Sequence, residues 1–292
     1  MPSRLARIIE AVLKFLNVKN SKLIKRIERL YVRFIPLKII FRYNIGRVKI
    51  LGRNTITICH KRTCGSMHIV YLHGGAYTQK AFPVHWKLMR TLVDRLRCKV
   101  TFIDYPLAPE HNYLETYEML EKSYVYLTEK YHDDEFFLMG DSAGGGLALA
   151  FLQKLRDEGK SMPRKTVLYS PWLDITMSNP GMKELEHLDL MLNVEGLIQA
   201  GTEYADGQSD RRLPLLSPIY GDMNGLGDVA VFYGTHEIFF ADCELLREKV
   251  KEADSRFVFF PYIGMQHDFI LLPIPEAGRA LEETLLFLAD TE

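Results

Sequence analysis

A serine between small residues, followed further along by a carboxylate and a histidine, can cleave an acyl bond by nucleophilic attack. Here the serine is Ser142, within Gly140-Asp141-Ser142-Ala143-Gly144-Gly145-Gly146. An apolar, strand-like run (136–139) leads into it and a helix-forming run (147–155) follows. That order makes Gly-x-Ser-x-Gly a nucleophile elbow, with small flanking residues where backbone segments must approach closely. A helix-capping serine in a Gly-rich loop would also produce the pentapeptide. A second motif argues against that reading. The strand-like run 67–72 enters His73-Gly74-Gly75-Ala76, and such a loop turns bare backbone N–H groups toward a developing oxyanion.

The partners of such a serine follow in the order acid, then histidine. Three of the nine histidines lie beyond Ser142: His187, His236 and His267. His187 falls in an inserted region, residues 175–215, and His236 stands directly after a strand, where an acid is expected. His267 follows the last strand-like run on a loop before the final helix, the place from which a base reaches the serine. For the acid, the segment after the strand at 229–233 offers Glu237 and Asp242. Either carboxylate could fix the imidazole tautomer. Asp242 also reads as an N-cap for a helix over 243–253.

Strand-like runs at 55–59, 68–72, 100–104, 136–139, 166–169, 229–233 and 257–260 must position these groups. Helical runs at 85–97, 116–130, 147–157, 242–253 and 276–288 fill most of the gaps. The alternation predicts an α/β fold, a mostly parallel central sheet with helices on both faces. Residues 175–215 interrupt it, with a helix expected over 183–199, and read as an insertion over the carboxyl edge of the sheet. Two amphipathic helices precede the sheet: Leu5, Ile8, Ile9, Val12, Leu13 and Leu16 in one, Leu23, Ile27, Leu30, Tyr31 and Phe34 in the other, which Pro36 stops. The expected division is 1–50 as N-terminal helices and 51–292 as the catalytic domain carrying the insertion.

Composition supports an ordinary globular chain: 292 residues, 47% apolar and 25% charged, with zero net charge. The charge is lopsided, because residues 1–50 hold 13 Lys or Arg against two acids, Glu10 and Glu28. We read this as the solvated face of the helices. Lys14, Lys19 and Lys22 interrupt any signal-like apolar stretch, and no run reaches membrane-span length. The four cysteines lack zinc-site spacing, and Cys59, Cys64, Cys98 and Cys243 suit free thiols of a cytoplasmic protein. Gly159-Lys160-Ser161 lacks the glycine a P-loop needs, His236-Glu237 lacks the closing histidine of a zinc protease, and no dinucleotide fingerprint occurs. No metal or organic cofactor, nucleic acid or stable membrane insertion is therefore expected, and the partner is a small-molecule ester. A homodimer is compatible with the sequence.

Taken together these motifs resemble the hormone-sensitive-lipase-like branch of the α/β-hydrolases, cap-bearing carboxylesterases, over most of residues 66–290. Asp104-Tyr105-Pro106-Leu107-Ala108-Pro109-Glu110, Ser170-Pro171-Trp172-Leu173-Asp174 and Leu216-Ser217-Pro218 are similar to further signatures of that group. The resemblance implies Ser142 as nucleophile, His267 as base and Glu237 as acid, with an oxyanion hole at Gly74, Gly75, Ala76 and Ala143. In that hole Gly74 shapes the loop and His73 orders it. It also implies a helical cap made from the N-terminus and residues 175–215. The implied activity is hydrolysis of short-chain esters, acetyl to butyryl, with amide or N-acetyl hydrolysis and non-catalytic ligand binding as rival readings. Met177, Met182, Leu188, Met191 and Leu192 stand as candidates for pocket wall or cap core. Four positions depart from the family pattern: Ala76 for glycine, Pro106 for arginine, Glu237 for aspartate and Asp268 for glycine.

Overall fold

The computed structural model describes residues 1–20 and 42–290. The second amphipathic helix expected near Leu23–Phe34 lies outside the described residues. Among those described, eight strands form one sheet: β1 (Tyr43–Ile50), β2 (Arg53–His60), β3 (Met67–Leu72), β4 (Lys99–Ile103), β5 (Glu135–Asp141), β6 (Lys165–Tyr169), β7 (Asp228–Gly234) and β8 (Arg256–Tyr262). Their order is β1-β2-β4-β3-β5-β6-β7-β8. β2 runs antiparallel to both its neighbours, and every later pair is parallel.

Side-chain alternation along the strands builds two cores. Val70, Leu72, Leu138, Leu168, Val231 and Tyr233 face one way, toward helices α3 (Tyr113–Lys130), α4 (Ala143–Asp157) and α7 (Phe240–Lys249). Ile69, Tyr71, Phe137, Met139, Val167 and Phe232 face the other, toward α1 (Arg4–Leu16), α2 (Pro83–Leu96) and α8 (Pro275–Ala289). A sheet covered on both faces needs apolar residues at successive positions, which is why the central strands read as unbroken apolar runs.

Three expectations about elements need correction. β1 is a strand missing from the expected set, inside the stretch read as N-terminal helices. Only Tyr43 in it is buried, so this edge strand has no apolar stripe, and Arg47 and Lys49 blunt its edge. Its hairpin turns through Leu51 and Gly52, both at positive φ, without the Asn-Gly pair that normally announces such a turn. The single helix expected over 183–199 is two, α5 (Pro180–Leu185) and α6 (Val194–Ala205). Asp189 Oδ1 takes the N–H groups of Met191 and Leu192, and Asn193 caps α6 at Gly196, so local side-chain bonds replace the helix between them. Lastly, α7 begins at Phe240, which places Asp242 inside its first turn and not at a cap.

The strands that matter all end on one edge. Leu72 pairs with Gly140, Asp141 with Tyr169, and Tyr169 with Phe232, so the loops after β3, β5, β6 and β7 emerge side by side.

Candidate active site

Ser142 follows β5 at φ 52° and ψ −121°, a backbone conformation rarely adopted by any residue but glycine. Its amide donates to Tyr169 O, and its carbonyl accepts from the amides of Gly145, Gly146 and Trp172, which pin the turn. The flanking glycines are sterically required: a Cβ on Gly140 would collide with the Gly144 carbonyl, and one on Gly144 with the Leu72 carbonyl. Ser142 Oγ does not cap α4. It lies 2.9 Å from His267 Nε2, and His267 Nδ1 lies 2.6 Å from Glu237 Oε2.

The carboxylate is held as firmly as the imidazole. Glu237 Oε1 accepts from the Gly234 amide at 2.6 Å and from Ser170 Oγ at 2.8 Å. All three residues are buried, with Ser142 at 5% and His267 at 3% exposure and Glu237 fully enclosed. Asp242 is not part of this relay. It is buried, its Oδ1 accepts from Asn179 Nδ2 at 2.9 Å, and burial pushes its carboxyl up to about 7 against the lowering effect of Asn179. The expected N-cap role is thus replaced by a bond to the segment preceding α5. His236 contributes its amide to Met265 O, and the exposed His187 bonds locally to Glu184 O.

The loop after β3 curls over the serine. Gly75, Ala76 and Tyr77 all take positive φ. No hydrogen bond to another described residue occupies the amides of Gly75, Ala76 or Ala143. Gly74 differs, since its amide donates to Asp141 Oδ2 at 2.9 Å. That group anchors the loop instead of facing an oxyanion. Asp141 also accepts from Tyr71 Oη at 2.5 Å and pairs with His85 Nε2 at 3.0 Å. Burial opposes its ionisation, but His85 and these bonds hold the carboxyl below its ordinary range. His73 is buried against Tyr105 with rings 4.5 Å apart, and burial lowers it to about 4, so it packs as a neutral ring. The arginine absent at position 106 has a substitute: Arg53 of β2 donates Nε to Asp104 O at 2.7 Å and Nη2 to Tyr105 O at 3.1 Å.

Several positioning residues carried no signal in the sequence. Asp189 Oδ2 accepts from the amide of Ile238, the residue after Glu237, at 2.9 Å. Gln266, just before His267, accepts from the Leu190 amide and donates to Leu188 O. The segment between α5 and α6 is thereby clamped to the loops that carry Glu237 and His267. At its base, Asp174 and Ser217 are joined at 3.2 Å across the inserted region, a contact between two quoted signatures. Lys19, beyond α1, donates to the carbonyls of Glu186 and Asp189. An aromatic stack (Phe239, Trp172, Tyr77, Tyr204) runs from beside His267 to α6, its tightest pair 3.9 Å apart. Met177 and Met182 are buried in the main core, while Leu188, Met191 and Leu192 are half-buried.

No group of side chains suited to a metal ion occurs among the described residues, and no helix among them is long and apolar enough to cross a membrane. The four cysteines are all free.

Comparison with known proteins identifies the fold and the family. Residues 69–271 match the family described by the alpha/beta hydrolase fold. An esterase of Acinetobacter venetianus is 34% identical over 223 residues, 75% of this chain and 73% of that protein. An acetyl-hydrolase of Streptomyces hygroscopicus is 31% identical over 75% of this chain and 74% of its own length. Among solved structures, a hormone-sensitive lipase from a metagenome library superposes with a TM-score of 0.83 at 26% identity, covering 96% of this chain and 95% of that one. An esterase of the bacterial hormone-sensitive lipase family gives 0.84 at 25% identity, over 99% and 98%.

Proposed function

The chain belongs to the α/β-hydrolase fold family, in its hormone-sensitive-lipase-like branch, and is a carboxylic ester hydrolase; we propose that it works through Ser142, His267 and Glu237 on short-chain acyl esters. The observation that carries this reading is the continuous relay from Glu237 Oε2 through both ring nitrogens of His267 to Ser142 Oγ. In it, the Ser142 hydroxyl proton passes to Nε2 as Oγ attacks the acyl carbon. The free amides of Gly75, Ala76 and Ala143 are suited to receive the oxyanion, with Ala143 at the positive end of α4. His267 then returns the proton to the departing alcohol. Water repeats the sequence on the acyl-enzyme. Glu237 keeps the Nδ1 proton in place and balances the imidazolium.

The buried serine, with an aromatic stack running from beside His267 and the segment 188–192 clamped to the neighbouring loops, favours small acyl groups. Added methylenes help only until such a pocket is full. We therefore assign acetyl to butyryl esters as substrates, and residues 1–20 with 175–215 as the cap. The free cysteines suit a reducing cytoplasm. The test is a series of p-nitrophenyl esters beside aryl acetamides. The expected profile has kcat/KM greatest between acetyl and butyryl and falling steeply by octanoyl, with amides far slower. Turnover of long-chain emulsions at equal or higher efficiency would overturn the small-pocket assignment.

A further inference from the structure

A second carboxylate lies against the imidazole. Asp268 Oδ2 lies 3.2 Å from His267 Nε2, the same nitrogen that faces Ser142 Oγ. Its other oxygen, Oδ1, is buried with no hydrogen-bond partner among the described residues. The Asp268 amide donates to Ser170 Oγ at 3.2 Å, and Ser170 in turn donates to Glu237, so the residue is tied to the relay through its backbone as well. It stands at φ 50°, where glycine would be the unstrained choice. An aspartate held there, against the reacting nitrogen, has chemical consequences.

We propose that Asp268 is a positioning residue that competes with Ser142 for Nε2 of His267, so that it sets the acidic limit of activity. This rests on the Ser142–His267–Glu237 reading above. With the Nε2 proton in place, the imidazolium has a carboxylate on each nitrogen, Glu237 at Nδ1 and Asp268 at Nε2. Only after that proton leaves can Nε2 accept the hydroxyl proton of Ser142. Burial alone would lower the His267 pKa, but Asp268, ahead of Glu237, holds it well above the ordinary histidine value. The other ionisable groups around the pair are few. Asp189 of the inserted segment faces His267. Asp141 at the end of β5, His85 of α2 and Tyr71 of β3 surround Asp268. His85 and Tyr71 are already bonded to Asp141, which leaves Asp268 and Glu237 as the carboxylates in direct contact with the imidazole.

During acylation the same contact stabilises the imidazolium, so removal has two opposite effects. The test compares Asp268→Asn and Asp268→Gly with the parent in pH profiles of kcat/KM; asparagine and glycine both tolerate positive φ. The expected result is an acidic limb moved to lower pH by ~1–3 units, the range for an opposite charge at this distance. The plateau should be equal or lower. Stoichiometric phosphonate labelling of each variant reports that serine and base remain functional. An unmoved limb in a fully labelled variant overturns the proposal while leaving the triad intact. Full activity of Ser142→Ala would overturn the triad reading itself. Should neither variant fold, ¹⁵N-histidine NMR of the parent decides: a His267 midpoint at or below about 6.5, the ordinary histidine value, overturns the proposal.

Discussion

Glu237 and Asp242 lie five residues apart, and their hydrogen bonds send them to different roles. Glu237 has both oxygens engaged, one by His267 and one by Gly234 and Ser170. Exchange for glutamine removes the counter-charge at Nδ1 of the imidazolium, and Glu237→Gln should lower kcat by up to ~10⁴-fold with little change in fold. Asp242 has one buried oxygen without a partner among the described residues and a carboxyl pushed to about 7 by burial. A raised carboxyl contributes stability fully below the unfolded value and loses it as pH climbs through the folded one. The parent should therefore lose Tm between about pH 4 and pH 7, the shift amounting to roughly 4 kcal/mol at most. Asp242→Asn should flatten that decline and leave kcat within about twofold. A decline unchanged in the variant, measured by calorimetry across this range, would exclude Asp242 as its source.

The inserted segment acts through its attachments. Asp189 and Gln266 join it to the loops bearing Glu237 and His267, and Asp174 with Ser217 closes its base. Asp189→Ala leaves the Ile238, Met191 and Leu192 amides without their acceptor, so kcat should fall by tenfold or more and proteolysis within 186–193 should accelerate. Cleavage rates and kcat both at the parent value would mean that the clamp does not position the site. Deleting residues 1–35 removes the Lys19 bonds to Glu186 and Asp189 and the Ser3 bond to Glu276. It should alter activity or solubility without changing lipid binding. Strong salt-sensitive binding of the full chain to anionic vesicles would contradict that account. At this scale the sequence was partly legible. The central strands announced themselves because both faces are buried. The clamp did not, because Asp189 and Gln266 meet their partners only after the chain has folded back over 49 and 76 residues.

Across the whole molecule, five loops from one sheet edge converge on Ser142, and the positions of Ser142 and His267 followed from chain order. β1 escaped because an exposed edge strand has no apolar stripe, and Asp242 misled because an acid before a helical run looks like a cap. Asp268 was visible as a departure, but its place beside Nε2 depends on the turn after β8. What unites these parts is a single reactive oxygen. The most direct measurement is therefore reaction of the intact protein with a p-nitrophenyl phosphonate, followed by peptide mass spectrometry and ester turnover. The account predicts one adduct per chain, on Ser142, with activity lost in step and no labelling of Ser142→Ala. An adduct on another residue, or an active Ser142→Ala protein, would contradict it.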